Sequence, residues 1–233
     1  MADTMDGATV VVTGASRGIG EQIAHAVAAA GAHAVICARD ADDLDAVATD
    51  IREAGGSVTA VRTDVRDEFD VERLVEVATR EGGGAIDYVV ANAGVYHGEP
   101  GETPLSEESY AAFDDHLRTN ARGVFATVRE ALPHLADDAR IVVPTGAVAR
   151  EGYPGYGSYA VSKAAAEAVA RGFAAELDVP VGSLDPGQVE TGLSGDGGRD
   201  PEEVAEMVLW ALRDADSSAL DGGVLDWADY RQR

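Results

Sequence analysis

The chain has 233 residues, 45% of them hydrophobic, a formal net charge of −24 at pH 7, and one lysine against seventeen arginines. That length suits one substantial core, and no uncharged apolar run reaches the ~18 residues of a membrane-spanning helix. So acidic a surface repels nucleic acid phosphates and anionic membranes, which excludes both as expected partners.

Taken in chain order, short apolar runs predict strands at 8–13, 33–38, 57–62, 86–91, 140–145, 179–184 and, more weakly, 223–226. Three- and four-residue apolar spacing between them predicts helices at 18–30, 41–54, 68–80, 106–135, 157–177 and 201–214. Strands alternating with helices imply βαβ units, and so an α/β domain with a parallel sheet covered on both faces. The N-terminal Met1-Ala2-Asp3-Thr4-Met5-Asp6 is acidic and lacks a basic region followed by an apolar core, so the expected location is the cytoplasm. Cys37 has no partner for an internal disulfide and sits in the run Ala34-Val35-Ile36-Cys37-Ala38, where it reads as a small buried hydrophobe. The five histidines fall in no metal-ligand spacing, so no metal is expected.

Two local patterns carry chemistry. The first predicted strand runs directly into Thr13-Gly14-Ala15-Ser16-Arg17-Gly18-Ile19-Gly20 and then a helix. Glycines there let the backbone approach a pyrophosphate, and the helix N-terminus offers free N–H groups and positive partial charge. The second pattern is Tyr159-Ala160-Val161-Ser162-Lys163, which holds the single lysine. Positions i and i+4 share a helix face, so the ammonium comes close to the phenol. A chain that uses arginine elsewhere and lysine only here implies a site built for a compact point charge.

The Gly-x-x-x-Gly-x-Gly turn, Asn92-Ala93-Gly94 and Tyr159-x-x-x-Lys163, in that order, resemble the short-chain dehydrogenase/reductase family over about residues 10–191. The resemblance implies a single Rossmann-type domain over residues 1–233 with a seven-stranded parallel sheet and NAD(P)(H)-dependent hydride transfer to or from a carbonyl or alcohol. It makes Tyr159 the general acid/base, with Lys163 lowering its pKa and holding the nicotinamide ribose, and Asn120 the holder of a relay water. It assigns Gly14, Ser16, Arg17, Gly18, Ile19 and Gly20 to the pyrophosphate turn, Asp64 and Val65 to the adenine, and Asn92 and Gly94 to the ribose. In Pro186-Gly187-Gln188-Val189-Glu190-Thr191, beside the nicotinamide, Gly187 shapes the turn, and Val189 and Thr191 meet the carboxamide. NAD-preferring relatives carry an acid where this chain has Ala38, which is followed by Arg39. Arg17 and Arg39 are therefore expected to clamp a 2′-phosphate bidentately, which predicts NADP(H) over NAD(H). Asp40 opposes that reading if it points inward.

One family element is missing. The substrate-orienting serine falls thirteen residues before the tyrosine, where this chain has Gly146. Its neighbour Thr145 replaces the serine only if the alternation of strand side chains relaxes at the strand end. Without it the site lacks one donor, and the alternative reading is a dinucleotide-binding sensor or structural subunit with weak catalysis. The segment 192–200 is too short for the family's usual lid. Val95, Tyr96, Tyr153 and Tyr156 are candidate pocket residues. Family members are commonly homodimers or homotetramers, and the alanine-rich stretch 164–170 suits such helix contact. Lysine depletion with abundant acid resembles the proteins of salt-in halophiles.

Overall fold

The structure, a computed structural model, describes residues 5–190 and 197–233. Seven strands form one sheet: β1 (Thr9–Thr13), β2 (His33–Ala38), β3 (Ser57–Arg62), β4 (Ile86–Val90), β5 (Leu135–Pro144), β6 (Val181–Asp185) and β7 (Val224–Asp226). All neighbours pair in parallel, in the order β3-β2-β1-β4-β5-β6-β7. The strands read as unbroken apolar runs because a parallel sheet is covered on both faces; β1 and β6 are buried at every residue. One face packs against α1 (Gly18–Ala29), α2 (Ala41–Glu53) and α7 (Pro201–Arg213) through Ile23, Val27, Leu44 and Leu212. The other packs α3 (Glu68–Glu81), α5 (Gly123–Ala131) and α6 (Gly157–Ala174) through Leu74, Val128 and Ala170.

The chain winds outward from β1 to β3, then returns to place β4 on the other side of β1. That reversal opens a crevice at the carboxyl ends of β1 and β4, where ligands enter folds of this kind.

The predicted helix 106–135 is broken into pieces. α4 (Tyr110–His116) starts late, capped by Ser109, whose hydroxyl accepts the Ala112 N–H at 3.1 Å. It continues as a π-helical stretch, Leu117–Arg122, then α5, and ends in a 3₁₀ turn, Leu132–His134, around Pro133. Proline supplies no N–H to continue the ladder. β5 therefore begins at Leu135, earlier than the apolar run predicted, with a register irregularity against β4 between Ile86 and Tyr88. Two short helices lie beyond the sequence expectation: α8 (Ser217–Leu220) and α9 (Trp227–Arg231), each opened by an aspartate cap.

Candidate active site

A cavity of about 920 Å³ runs along the carboxyl edge of the sheet, from Arg17 and Arg39 at one end to Tyr153 and Tyr156 at the other. Every cofactor residue expected from the sequence and described in the structure lines it: Gly14, Ser16, Arg17, Gly18, Ile19 and Gly20 in the first turn, Arg39, Asp64 and Val65 beyond it, then Asn92, Gly94, Gly187 and Val189, with Tyr159 and Lys163. Thr191 lies outside the described residues. Asn120 does not line the cavity.

The first turn is built for close backbone approach. Gly14 has φ +69°, and an added Cβ would sit 2.7 Å from Ala93 Cα. At Gly20 an added Cβ would collide with the Gly14 carbonyl and lie 2.5 Å from Asn92 Nδ2. Asn92 holds this packing together: its amide donates to the carbonyls of Thr13 at 2.9 Å and Gly14 at 3.2 Å. Thr13 Oγ1 in turn accepts the Ala93 N–H at 3.0 Å. The side-chain amide of Asn92 thus braces β1 against β4. This bare cradle in front of α1 fits the pyrophosphate of a dinucleotide.

At the far end of β2, Ala38 is buried and Arg39 exposed. Asp40 does not oppose the basic reading: its Oδ1 accepts the N–H groups of Asp42 and Asp43 at 3.1 and 3.2 Å, capping α2. The Asp64 carboxylate is gripped by Arg66, Nη2 to Oδ2 at 2.7 Å, and that hydrogen bond holds its pKa below the ordinary value. Arg66 also reaches Asp115 at 2.7 Å. Asp64 therefore offers the cavity its backbone, its carboxylate being taken. Burial pushes the Cys37 thiol up to about 12, which agrees with an inert packing role.

Tyr159 and Lys163 meet at the middle of the cavity, with Lys163 Nζ 5.9 Å from the Tyr159 ring centroid. The ammonium donates to the Pro144 carbonyl at 2.9 Å. Burial lowers its pKa to about 8, partly opposed by Glu167 one turn further along α6. Without cofactor, the Tyr159 phenol is raised above its ordinary value: desolvation dominates, followed by Tyr96 and Tyr156. Asn120, in the π-helical stretch, clamps Val95 from both sides, accepting its N–H at 2.8 Å and donating to its carbonyl at 2.9 Å. It also donates to Ser162 Oγ at 2.9 Å, and so joins the loop after β4 to the helix carrying Tyr159 and Lys163.

Thr145 lines the cavity beside Gly146, but it is buried and its hydroxyl is engaged, donating to Glu167 Oε1 at 2.8 Å. Glu167 belongs to a cluster that sequence reading missed: Arg150 bridges Glu167 and Asp185, and Asp185 Oδ1 accepts the Gly187 N–H at 2.9 Å. The spacing Tyr159, Lys163, Glu167 on one helical face was its visible signal.

The sequence profile of the short chain dehydrogenase family matches residues 8–202. The chain belongs to that family. This short-chain dehydrogenase is 34% identical over 193 residues to the hydroxynaphthalene reductase-like protein Arp2 of Metarhizium brunneum, covering 81% of the chain and 70% of that protein. It is 30% identical to glycine betaine reductase ATRR of Emericella nidulans over 93% of the chain, but spans only 18% of that longer protein. A short chain dehydrogenase from Burkholderia cenocepacia, solved in complex with NADP, superposes with a TM-score of 0.86 at 28% identity, over 95% of this chain and 96% of the other. The seven-stranded Rossmann-type architecture and membership together make the protein an NAD(P)H-dependent oxidoreductase. No helix among the described residues is long and apolar enough to cross a membrane.

Proposed function

We propose that the protein is a single nucleotide-binding domain that reduces a small carbonyl compound at the expense of NADPH, with Tyr159 as the proton donor. The observation that carries this reading is one cavity holding the glycine cradle, two exposed arginines and the Tyr159–Lys163 pair. Arg17 and Arg39 supply guanidinium forks for a 2′-phosphate, Ala38 presents no acid to repel it, and the Asp40 carboxylate is committed to α2. Bound there, the reduced nicotinamide supplies a hydride.

The side chains supply the rest. Tyr159 gives its proton to the carbonyl oxygen as negative charge builds on it. The phenol keeps that proton at neutral pH until the carbonyl oxygen takes it. Lys163 carries the positive charge that stabilises the phenolate left behind. Asn120 fixes the Val95 loop against α6. The word reductase in both relatives' names agrees with this direction. The molecule is proposed to act as a homodimer or homotetramer in a salt-rich cytoplasm, with Phe125 and Phe173 stacked at 5.7 Å on the α5–α6 face available for the contact.

The test is turnover of a carbonyl panel with NADPH and NADH in high salt. NADPH is expected to give the higher kcat/KM, and Tyr159→Phe to lower kcat by about 10²–10⁴ while cofactor fluorescence still reports binding. Cofactor binding with no turnover of any carbonyl would favour the sensor reading, which the glycine at position 146 motivates.

A further inference from the structure

Four tyrosines, Tyr96, Tyr153, Tyr156 and Tyr159, line one end of the cavity. The Tyr96 ring centroid lies 4.8 Å from that of Tyr159 and 6.5 Å from that of Tyr156, with only 11° between the Tyr96 and Tyr156 planes. Tyr153 continues the wall, 6.2 Å from Tyr156. Hydrogen bonds fix its members: Tyr96 donates to the carbonyls of Glu99 and Gly155 at 3.1 and 3.2 Å, and Tyr153 to Glu151 Oε2 at 2.7 Å. An aromatic face is electronegative and attracts cations, most strongly where water is excluded.

The surroundings of the wall carry the same sign. Glu108 is buried, its side chain 4% exposed, with Oε2 accepting the Ser158 N–H at 2.6 Å. Its Oε1 lies 3.2 Å from His116 Nδ1 but makes no hydrogen bond. His116, with its ring 5.9 Å from Tyr96, does not supply the missing charge. Its Nε2 accepts the His97 N–H at 2.9 Å, and burial lowers its pKa. Among the described residues, no arginine or lysine forms an ion pair with Glu108. A buried carboxylate without a cation is costly, and this one sits behind Tyr96. After burial and Tyr156, Glu108 and Glu99 push the Tyr96 phenol up, and Glu151 does so at Tyr153, with Asp185 adding a smaller push.

The kind of cation follows from the lining. The acidic residues among its lining, Asp40, Asp43 and Asp64, all belong to its nucleotide end. A primary ammonium at the tyrosine wall would give up hydrogen bonds to water and find few acceptors. A quaternary ammonium has no N–H to satisfy. A neutral aromatic compound fits the rings but gains nothing from the negative potential that Glu108, Glu99 and Glu151 place on them.

We propose that the tyrosine wall seats an onium group, so that the preferred substrate is an aldehyde or ketone bearing a quaternary ammonium, with its carbonyl at Tyr159. The inference rests on the carbonyl-reductase reading above. The chemistry is unchanged: the carbonyl carbon gains the hydride of NADPH and the oxygen gains the Tyr159 proton, giving the alcohol and NADP⁺, while the ammonium takes no part.

Trimethylammonioacetaldehyde and its neutral carbon isostere, 3,3-dimethylbutanal, test it at one fixed KCl concentration. The ratio of their kcat/KM values, cation over isostere, is expected to fall by about 5- to 30-fold in Tyr96→Leu or Tyr153→Leu, the range of a partly to fully desolvated cation–π contact. Comparing ratios removes the intrinsic difference in carbonyl reactivity. Tyr153 is 47% exposed, so its replacement leaves the core intact. Calorimetry of tetramethylammonium on the NADPH-bound protein adds a readout without turnover: saturable binding lost in Tyr153→Leu supports the seat, and absence of binding overturns it. If both aldehydes are inert while tetramethylammonium binds, the reductase reading fails and the seat stands. If both are reduced in a ratio that the variants leave unchanged, the seat fails and the reductase reading stands.

Discussion

Gly146 lines the cavity where the family resemblance would place a serine donor to the reacting oxygen. Its backbone is extended, with φ −167° and ψ 163°, a conformation open to any residue. An added Cβ would meet only Val148 Cγ2, at an ordinary 3.8 Å. Gly146→Ser therefore fits without strain. We expect it to raise kcat, up to the 10²–10³ that one donor is worth in oxyanion sites, as read by single-turnover kinetics; an unchanged kcat would mean that another group already fills the role. Lys163 gives a second prediction at this scale. Its pKa falls from 10.5 to about 8 on folding, so between those values the unfolded chain holds more protons and stability rises with pH. Below about pH 8 the cost of the buried charge is fully present. The raised Tyr159 phenol acts in the opposite sense once pH passes 10. The Tm of the cofactor-free protein should climb from pH 8 to pH 10, and Lys163→Met should flatten that climb.

Among the elements, α6 organises the site. It carries Tyr159, Lys163 and Glu167 on successive turns, and Arg150, after β5, joins Glu167 to Asp185 at the end of β6. Arg150 is the cation of that joint, its side chain 36% exposed against 2% and 8% for Glu167 and Asp185. Removing it leaves buried Asp185 without its cation and Glu167 with only Arg171 at 3.7 Å, and breaking a buried pair by deleting one partner is destabilising by about 3–5 kcal/mol. Since Arg150 is partly in water, the lower end applies. Arg150→Met should lose about 3 kcal/mol in urea unfolding, and Arg150→Lys, which keeps the charge but loses the fork, should fall between. A loss within 0.5 kcal/mol of zero would show that solvent already screens the cluster.

For the whole molecule, charge outweighs the individual ion pairs. Exposed pairs such as Arg122–Glu68 at 2.8 Å contribute little each, while a net charge of −24 is a repulsion summed over the entire surface. The screening length falls from about 8 Å at physiological ionic strength to about 3 Å at 1 M. We expect Tm to be higher at 2 M than at 0.1 M KCl; a Tm that stays level or falls would remove salt adaptation as the explanation of this composition.

Much of this molecule is legible along the chain because the signals are local. Apolar runs in a parallel sheet stay apolar throughout, so the seven strands stand out. Glycines in the first turn are required by backbone contact, and the Tyr159–Lys163 pair by helical spacing. What sequence could not decide depends on contacts between distant segments. The 106–135 helix breaks where Asn120 reaches across to Val95 and where Pro133 ends the ladder. Thr145 turns to Glu167, and Asn92 turns to Thr13 and Gly14, because partners 22 and 79 or 78 residues away claim their polar groups. The direction of the Tyr159 pKa follows the same rule. Spacing put a positive charge one turn away, but in the cofactor-free fold desolvation, with Tyr96 and Tyr156, sets the direction and raises the phenol.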